Sequence, residues 1–268
     1  MTSAILVGPG RAGLSVTLAM QRAGHEIVCV VARDATAGEA AAAMLGTSAV
    51  DWGSRLPSAD IVILGVRDDA ISEVAAATSA AASDVGSAVH LSGMAGLDVL
   101  RPLGAVGLGV GSFHPLQSLP EPELGAARLD GAWIAIDADS DPLRAALREL
   151  AASIGATPFD VDPEARSLYH AAAAAAANFP LAALAMAEDL FGAAGVPFEA
   201  AKPLVETVVE NAFAIGARSA LTGPVARGDV GTVSSQLEAV RRYGPEWEEA
   251  FRSFVAVLAD MTDQKMDL

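Results

Sequence analysis

Near its start the chain carries Gly8-Pro9-Gly10-Arg11-Ala12-Gly13 between an apolar run and a helical pattern. This Gly-x-Gly-x-x-Gly spacing suits a strand that turns tightly into a helix, with the turn's amides facing a pyrophosphate. Gly8 permits the turn, Gly10 lets the backbone approach the phosphates, and Gly13 lets helix and strand pack closely. Gly8, Pro9, Gly10, Arg11, Ala12 and Gly13 are therefore candidate ligands of a dinucleotide. The end of the second apolar run, Ile27 to Val31, is followed by Ala32-Arg33-Asp34. A carboxylate there would bond a ribose 2′-hydroxyl, whereas an arginine can pair with a 2′-phosphate. Arg33 comes first, which favours NADP over NAD, and Arg11 offers a second positive group. In the alternative, Asp34 holds the ribose of NAD.

His170 and Asn178 stand eight residues apart in a helical pattern, so they project to nearly one face. His170 would give a proton to a carbonyl oxygen as hydride reaches the carbon, and Asn178 would orient the substrate in an inter-domain cleft. Otherwise both are core polar groups bridging helices. Ser92 and His114 follow predicted strands at the carboxyl edge of the sheet, as do Val66, Arg67 and Asp68. His114 would act as an acid, an orienting group or a donor to a substrate carboxylate, or else shape a turn before Pro115. Gln117, just beyond it, is a candidate substrate contact. Arg227, on the Gly- and Pro-marked loop before Asp229, would clamp a carboxylate or phosphate, or else pair with Asp229. His25 reads as exposed punctuation in a turn, and His90 and Cys29 as core residues. Four histidines without a carboxylate spacing to match make a metal site unexpected.

The elements that must position these residues alternate at first. Ala4 to Val7, Ile27 to Val31, Thr47 to Val50, Asp60 to Val66, Ala88 to Leu91, Gly107 to Phe113, Ala132 to Asp137 and Ala156 to Val161 read as strands. Helical patterns intervene, so the rhythm is βα and a parallel sheet is expected. From Pro163 the pattern is helical throughout: Pro163 to Ala194, Pro197 to Leu221, Val230 to Tyr243 and Pro245 to Asp260. A boundary near Val161 to Pro163 would divide a dinucleotide-binding domain, residues 1–162, from an all-helical substrate and dimerisation domain, residues 163–268. The tail from Thr262 is polar and expected to fray.

Composition narrows the function. With 52% hydrophobic and 19% charged residues, the chain can bury a sizeable core. A formal charge of -16 argues against nucleic acid and anionic membrane as partners. The single cysteine excludes an intrachain disulfide. No basic segment precedes an apolar one, so a cytoplasmic protein is expected. Leu168 to Ala187 is the one stretch to weigh as a membrane span. It is mostly alanine, interrupted by His170, Asn178 and Pro180, and reads as a buried helix.

The chain resembles a family of uncharacterised Rossmann-like proteins whose C-terminal helical domain has no known function. The matching stretches are the glycine turn, Ser92-Gly93, Gly111 to Gln117, Tyr169 to Ala172, and Thr222 to Asp229. More distantly it is similar to ketopantoate reductases, pyrroline-5-carboxylate reductases and other relatives of 6-phosphogluconate dehydrogenase. That resemblance implies an α/β Rossmann domain, its parallel sheet covered by helices on both faces. An all-α domain of the 6-phosphogluconate dehydrogenase C-terminal type would follow, with a homodimer formed through its helices. In ketopantoate reductases a catalytic lysine on the first long helix is followed by asparagines four and eight residues on. Those positions fall here at His170, Ala174 and Asn178, so the donor has changed and one asparagine is missing. The expectation is an NADP-dependent reductase of a small carbonyl, a 2-keto acid such as ketopantoate, with His170 as proton donor. A prephenate-type dehydrogenase, a pyrroline-5-carboxylate-type imine reductase and a non-catalytic NADPH sensor are the alternatives.

Overall fold

The computed structural model describes residues 1–262; the polar tail beyond Thr262 lies outside the described residues. The chain divides into two compact units, Met1–Ala174 and Ala175–Leu268. In the first, eight strands form one sheet: β1 (Ser3–Val7), β2 (Glu26–Ala32), β3 (Ser48–Asp51), β4 (Ala59–Leu64), β5 (Val85–His90), β6 (Gly109–Leu116), β7 (Trp133–Ala138) and β8 (Thr157–Asp160). Their order in the sheet is β3-β2-β1-β4-β5-β6-β7-β8. The direction of growth reverses between β1 and β4. Ligands of such sheets bind outside the carboxyl ends at that crevice.

Alternation along each central strand divides the core in two. Ala4 and Leu6 of β1, with Ile61 and Ile63 of β4, face one layer. Ile5 and Val7, with Val62 and Leu64, face the other. Four helices cover the first layer: α1 (Arg11–Arg22), α2 (Ala35–Met44), α5 (Pro122–Arg128) and α6 (Asp141–Ser153). The second is covered by α3 (Ile71–Ser79) and α4 (Arg101–Gly104). Being covered on both sides explains why these strands read as unbroken apolar runs.

The expectation of a wholly parallel sheet needs correction. β7 runs antiparallel to β6, with Leu116 opposite Trp133 and Gly111 opposite Ala138; β8 is parallel to β7. The chain leaves β6 and re-enters β7 at the same end. Short α5 therefore makes a return, not a crossover.

Five α-helices follow among the described residues: α7 (Arg166–Ala193), α8 (Lys202–Ile215), α9 (Ala217–Ala220), α10 (Val230–Tyr243) and α11 (Glu248–Met261). The predicted helix Pro197 to Leu221 is broken at Gly216, whose φ of 89° only glycine adopts readily. Pro163–Ala193 is long and apolar enough to cross a membrane by length and composition, with mean hydropathy 1.3. Its expected burial is not found within this chain, where Arg166 is the one buried residue of α7. The alanine-rich segment is short of large side chains that could anchor a covering layer.

Candidate coenzyme and catalytic site

The glycine turn is shaped by the strand beside it. A Cβ at Gly8 would collide with Val66, one at Gly10 with the Gly65 carbonyl, and one at Gly13 would come within 2.8 Å of Leu6. Packing against the β4 exit thus demands all three glycines before any ligand arrives. What the turn leaves open is the start of α1. The helical ladder begins with the Leu14 N–H donating to Gly10 O at 2.9 Å, so the N–H groups of Arg11, Ala12 and Gly13 have no helical acceptor. No side chain caps them, and no acidic residue occupies the first turn. Uncapped amides at the positive end of a helix suit a pyrophosphate.

Arg33 follows β2. Its guanidinium carbon lies 4.9 Å from the centre of the Trp52 ring, and it forms an ion pair with Glu73. Asp34, the rival reader of the ribose, has an Oδ1 that accepts the Ala37 N–H at 3.1 Å and caps α2. These residues fit a coenzyme with a 2′-phosphate: α1 for the pyrophosphate, Arg33 for the phosphate.

The exits of β4 and β5 meet on the edge that carries this turn. Ser92, after β5, donates to Asp68 Oδ2 at 2.7 Å, and its hydroxyl accepts from the Met94 and Ala95 amides at 3.1 and 2.9 Å. His90, fully buried, accepts the Ser92 N–H on Nδ1 and reaches the Gly96 carbonyl with Nε2. Burial pushes its pKa down to about 4, so it is a neutral brace for the loop. Arg67 turns outward and pairs with Asp69, and Val66 packs on Gly8.

His114 stands within β6, opposite Ala135, and not in a turn after it. Its Nδ1 is 2.7 Å from the Tyr169 hydroxyl. The His170 ring crosses that of His114 edge-on, with centroids 6.2 Å apart. Gly93 forms the wall between them. A Cβ there would meet His114 Nε2 at 2.7 Å and His170 Nδ1 at 2.9 Å. His170 Nδ1 is buried without a hydrogen-bond partner, a costly arrangement unless something is bound there. Burial first, and then the neighbouring His170, push His114 down to about 4. Burial pushes Tyr169 up to about 12, so its hydroxyl stays protonated. Arg166 fixes the first turn of α7 by donating to Asp137 Oδ2 at 2.9 Å.

Within the first unit, Gln117 shares none of the hydrogen bonds of this group. Gln117 is exposed, and its amide bonds the Ser118 N–H and the Arg128 carbonyl. Asn178 is exposed in the second unit, not the core bridge that was its alternative role. Arg227 is exposed as well; Asp229 caps α10 through Thr232 and does not pair with it. His25 does more than punctuate a turn: Nδ1 accepts the Thr2 N–H at 3.0 Å, and Nε2 lies 2.8 Å from the Ser153 hydroxyl. Sequence reasoning gave no role to Gly93, Tyr169, Trp52 or Glu73. Gly93 and Tyr169 lie in stretches that carry the family resemblance, beside Ser92 and His170; nothing pointed toward Trp52 or Glu73.

The reversed strand order and the glycine turn define a Rossmann-like α/β domain followed by a helical one. Consistently, residues 2–115 match the Rossmann-like domain family, and residues 132–257 match a domain of unknown function, DUF2520. No curated protein matches the chain. Among solved structures, a candidate NADP oxidoreductase from Bacteroides fragilis superposes with a TM-score of 0.84 at 22% identity, covering 97% of this chain and 98% of its own. An imine reductase from Myxococcus stipitatus, in complex with NADP+, gives 0.63 at 14%, covering 97% and 94%. A 1-pyrroline-5-carboxylate reductase from Streptococcus pyogenes gives 0.59 at 17%, covering 98% of each. Likeness at these identities establishes a shared fold.

Proposed function

We propose that the protein is an NADP-dependent oxidoreductase that reduces a small carbonyl compound or imine. The convergence of His114 Nε2 and His170 Nδ1 on Gly93 carries this proposal. It lies on the same strand-end edge as the free amides of α1. The coenzyme, when bound, supplies hydride. The protein's part is to hold it and to manage one proton.

His114 is held neutral by burial, and His170, whose Nδ1 is buried without a partner, is the proton donor of this proposal. With the Tyr169 hydroxyl donating to Nδ1, neutral His114 carries its hydrogen on Nε2 and polarises the substrate's oxygen or nitrogen. His170 then gives its Nδ1 proton to that atom as hydride reaches the carbon, and regains one from water. Ser92 and Asp68 hold the loop that presents Gly93. The first substrate class is a 2-keto acid of the ketopantoate type. An imine is the second, favoured by the names of solved proteins with this fold.

Fluorescence titration with NADPH and NADH tests the coenzyme assignment. A dissociation constant for NADPH at least about tenfold below that for NADH supports it; failure to bind either overturns it.

A homodimer through α7 and α8 completes the proposal. Leu168, Phe179, Leu181, Leu204, Val208 and Phe213 are each more than half exposed, between 56% and 89%, and support it. Asn178 and Pro180 suit a protein partner better than lipid. A single species of twice the chain mass in sedimentation equilibrium is expected, and a monomer at micromolar concentration would contradict the dimer.

A further inference from the structure

We infer that Trp52 and Glu73 set the preference between phosphorylated and unphosphorylated coenzyme, acting through Arg33; this rests on the coenzyme assignment above. Arg33 does not stand free at the end of β2. One face of its guanidinium lies on Trp52, 4.9 Å from the ring centre. Trp52 follows β3 and packs against the second core layer, so the platform is fixed from below. The guanidinium edge is held by Glu73 in the first turn of α3, where the helix dipole favours a carboxylate. Both side chains of that pair are more than half exposed, at 52% and 69%, so the contact is weak and open to competition.

These placements give the two residues opposite effects. Trp52 removes rotamers that Arg33 would otherwise lose on binding, and so favours a 2′-phosphate. Glu73 occupies Arg33 Nη2, a donor that a phosphate needs, and its negative charge opposes a dianion at the same guanidinium. NADH brings no phosphate to this position and leaves the Arg33–Glu73 pair intact. Glu73 therefore lowers discrimination, and Trp52 raises it. Asp34 does not interfere, because its carboxylate caps α2.

Calorimetric titration of the full chain with NADPH, NADH and 2′,5′-ADP tests this in wild type, Glu73→Gln and Trp52→Leu. For Glu73→Gln the ratio of NADH to NADPH dissociation constants should rise about fivefold, with 2′,5′-ADP binding tightened in step. For Trp52→Leu the same ratio should fall about fivefold. A thermal melt of each variant confirms the fold. An unchanged or lowered ratio in Glu73→Gln, or an unchanged ratio in Trp52→Leu, overturns the inference while the coenzyme site stands. Wild-type chain that binds none of the three ligands overturns the coenzyme assignment itself.

Discussion

The two units bury their apolar residues differently. In the first, the large side chains of β1 and β4 are almost wholly covered, with Ile5, Leu6 and Leu64 at 0% exposure. In the second, the buried cluster is Val225, Val233, Val255 and Ala259, while Phe213 is 89% exposed. A sheet with helices on both faces is complete in one chain. Helices with apolar residues all round leave some of them uncovered, which is the observation behind the proposed homodimer. Histidine is divided as sharply: His25, His90, His114 and His170 all lie in the first unit. The unit that is finished internally is also the one to which the proposed function assigns the proton transfer.

The comparison can be broken most easily in the core. Ile63→Ala should cost roughly 2–5 kcal/mol of stability in chemical denaturation, as a fully packed site cannot collapse around the lost atoms. A cost near zero would deny the first unit its completeness. Acid comes next. His90 and His114 are held near 4, below an unfolded value of about 6.5. Their neutral forms are matched to the fold above 6.5, and stability is lost as pH falls through 6.5 toward 4, by on the order of 3 kcal/mol for each at most. Hydrogen-exchange protection factors, corrected for the slower intrinsic exchange in acid, should therefore fall from pH 7 to pH 5 more in the first unit than in the second.

A third, Gly93→Ala, sharpens the division of labour. Its Cβ would stand within 3 Å of His114 and His170, so kcat should fall about a hundredfold while the affinity for NADPH stays within about twofold. Retained turnover would remove the histidine pair from the reaction. The smallest effect belongs to the other unit. Phe213→Ser should change monomer stability by no more than about 0.5 kcal/mol, yet sedimentation should show a weakened dimer. A large loss of stability without dissociation would mean the side chain is buried by its own chain.

The difference between the units also decided what was legible beforehand. Asp60 to Val66 read as a buried parallel strand because burial on two faces leaves no polar position in the run after Asp60. The glycine turn was legible for the same local reason, since strand, turn and helix are consecutive. The reversal at β7 was not, because its direction depends on where α5 returns the chain and not on the pattern within β7. The exposure of α7 was hidden as well: apolar residues on every side look the same whether their cover comes from within the chain or from outside it. At the site, Arg33, Ser92, His114 and His170 were visible as residue types at element ends. Trp52, Glu73 and Tyr169 acquire roles through contacts 19 to 55 residues apart in the sequence, and nothing in the local spacing announces such pairs.

The most direct test is NADPH oxidation by wild type and His170→Ala, side by side, over ketopantoate, further 2-keto acids and cyclic imines. NADPH affinity is measured in the same samples. The account predicts wild-type turnover of at least one of these compounds, faster with NADPH than with NADH. In His170→Ala that turnover should drop about a hundredfold or more with NADPH affinity retained. Turnover that survives in His170→Ala, or a wild-type chain that binds no NADPH, would contradict it.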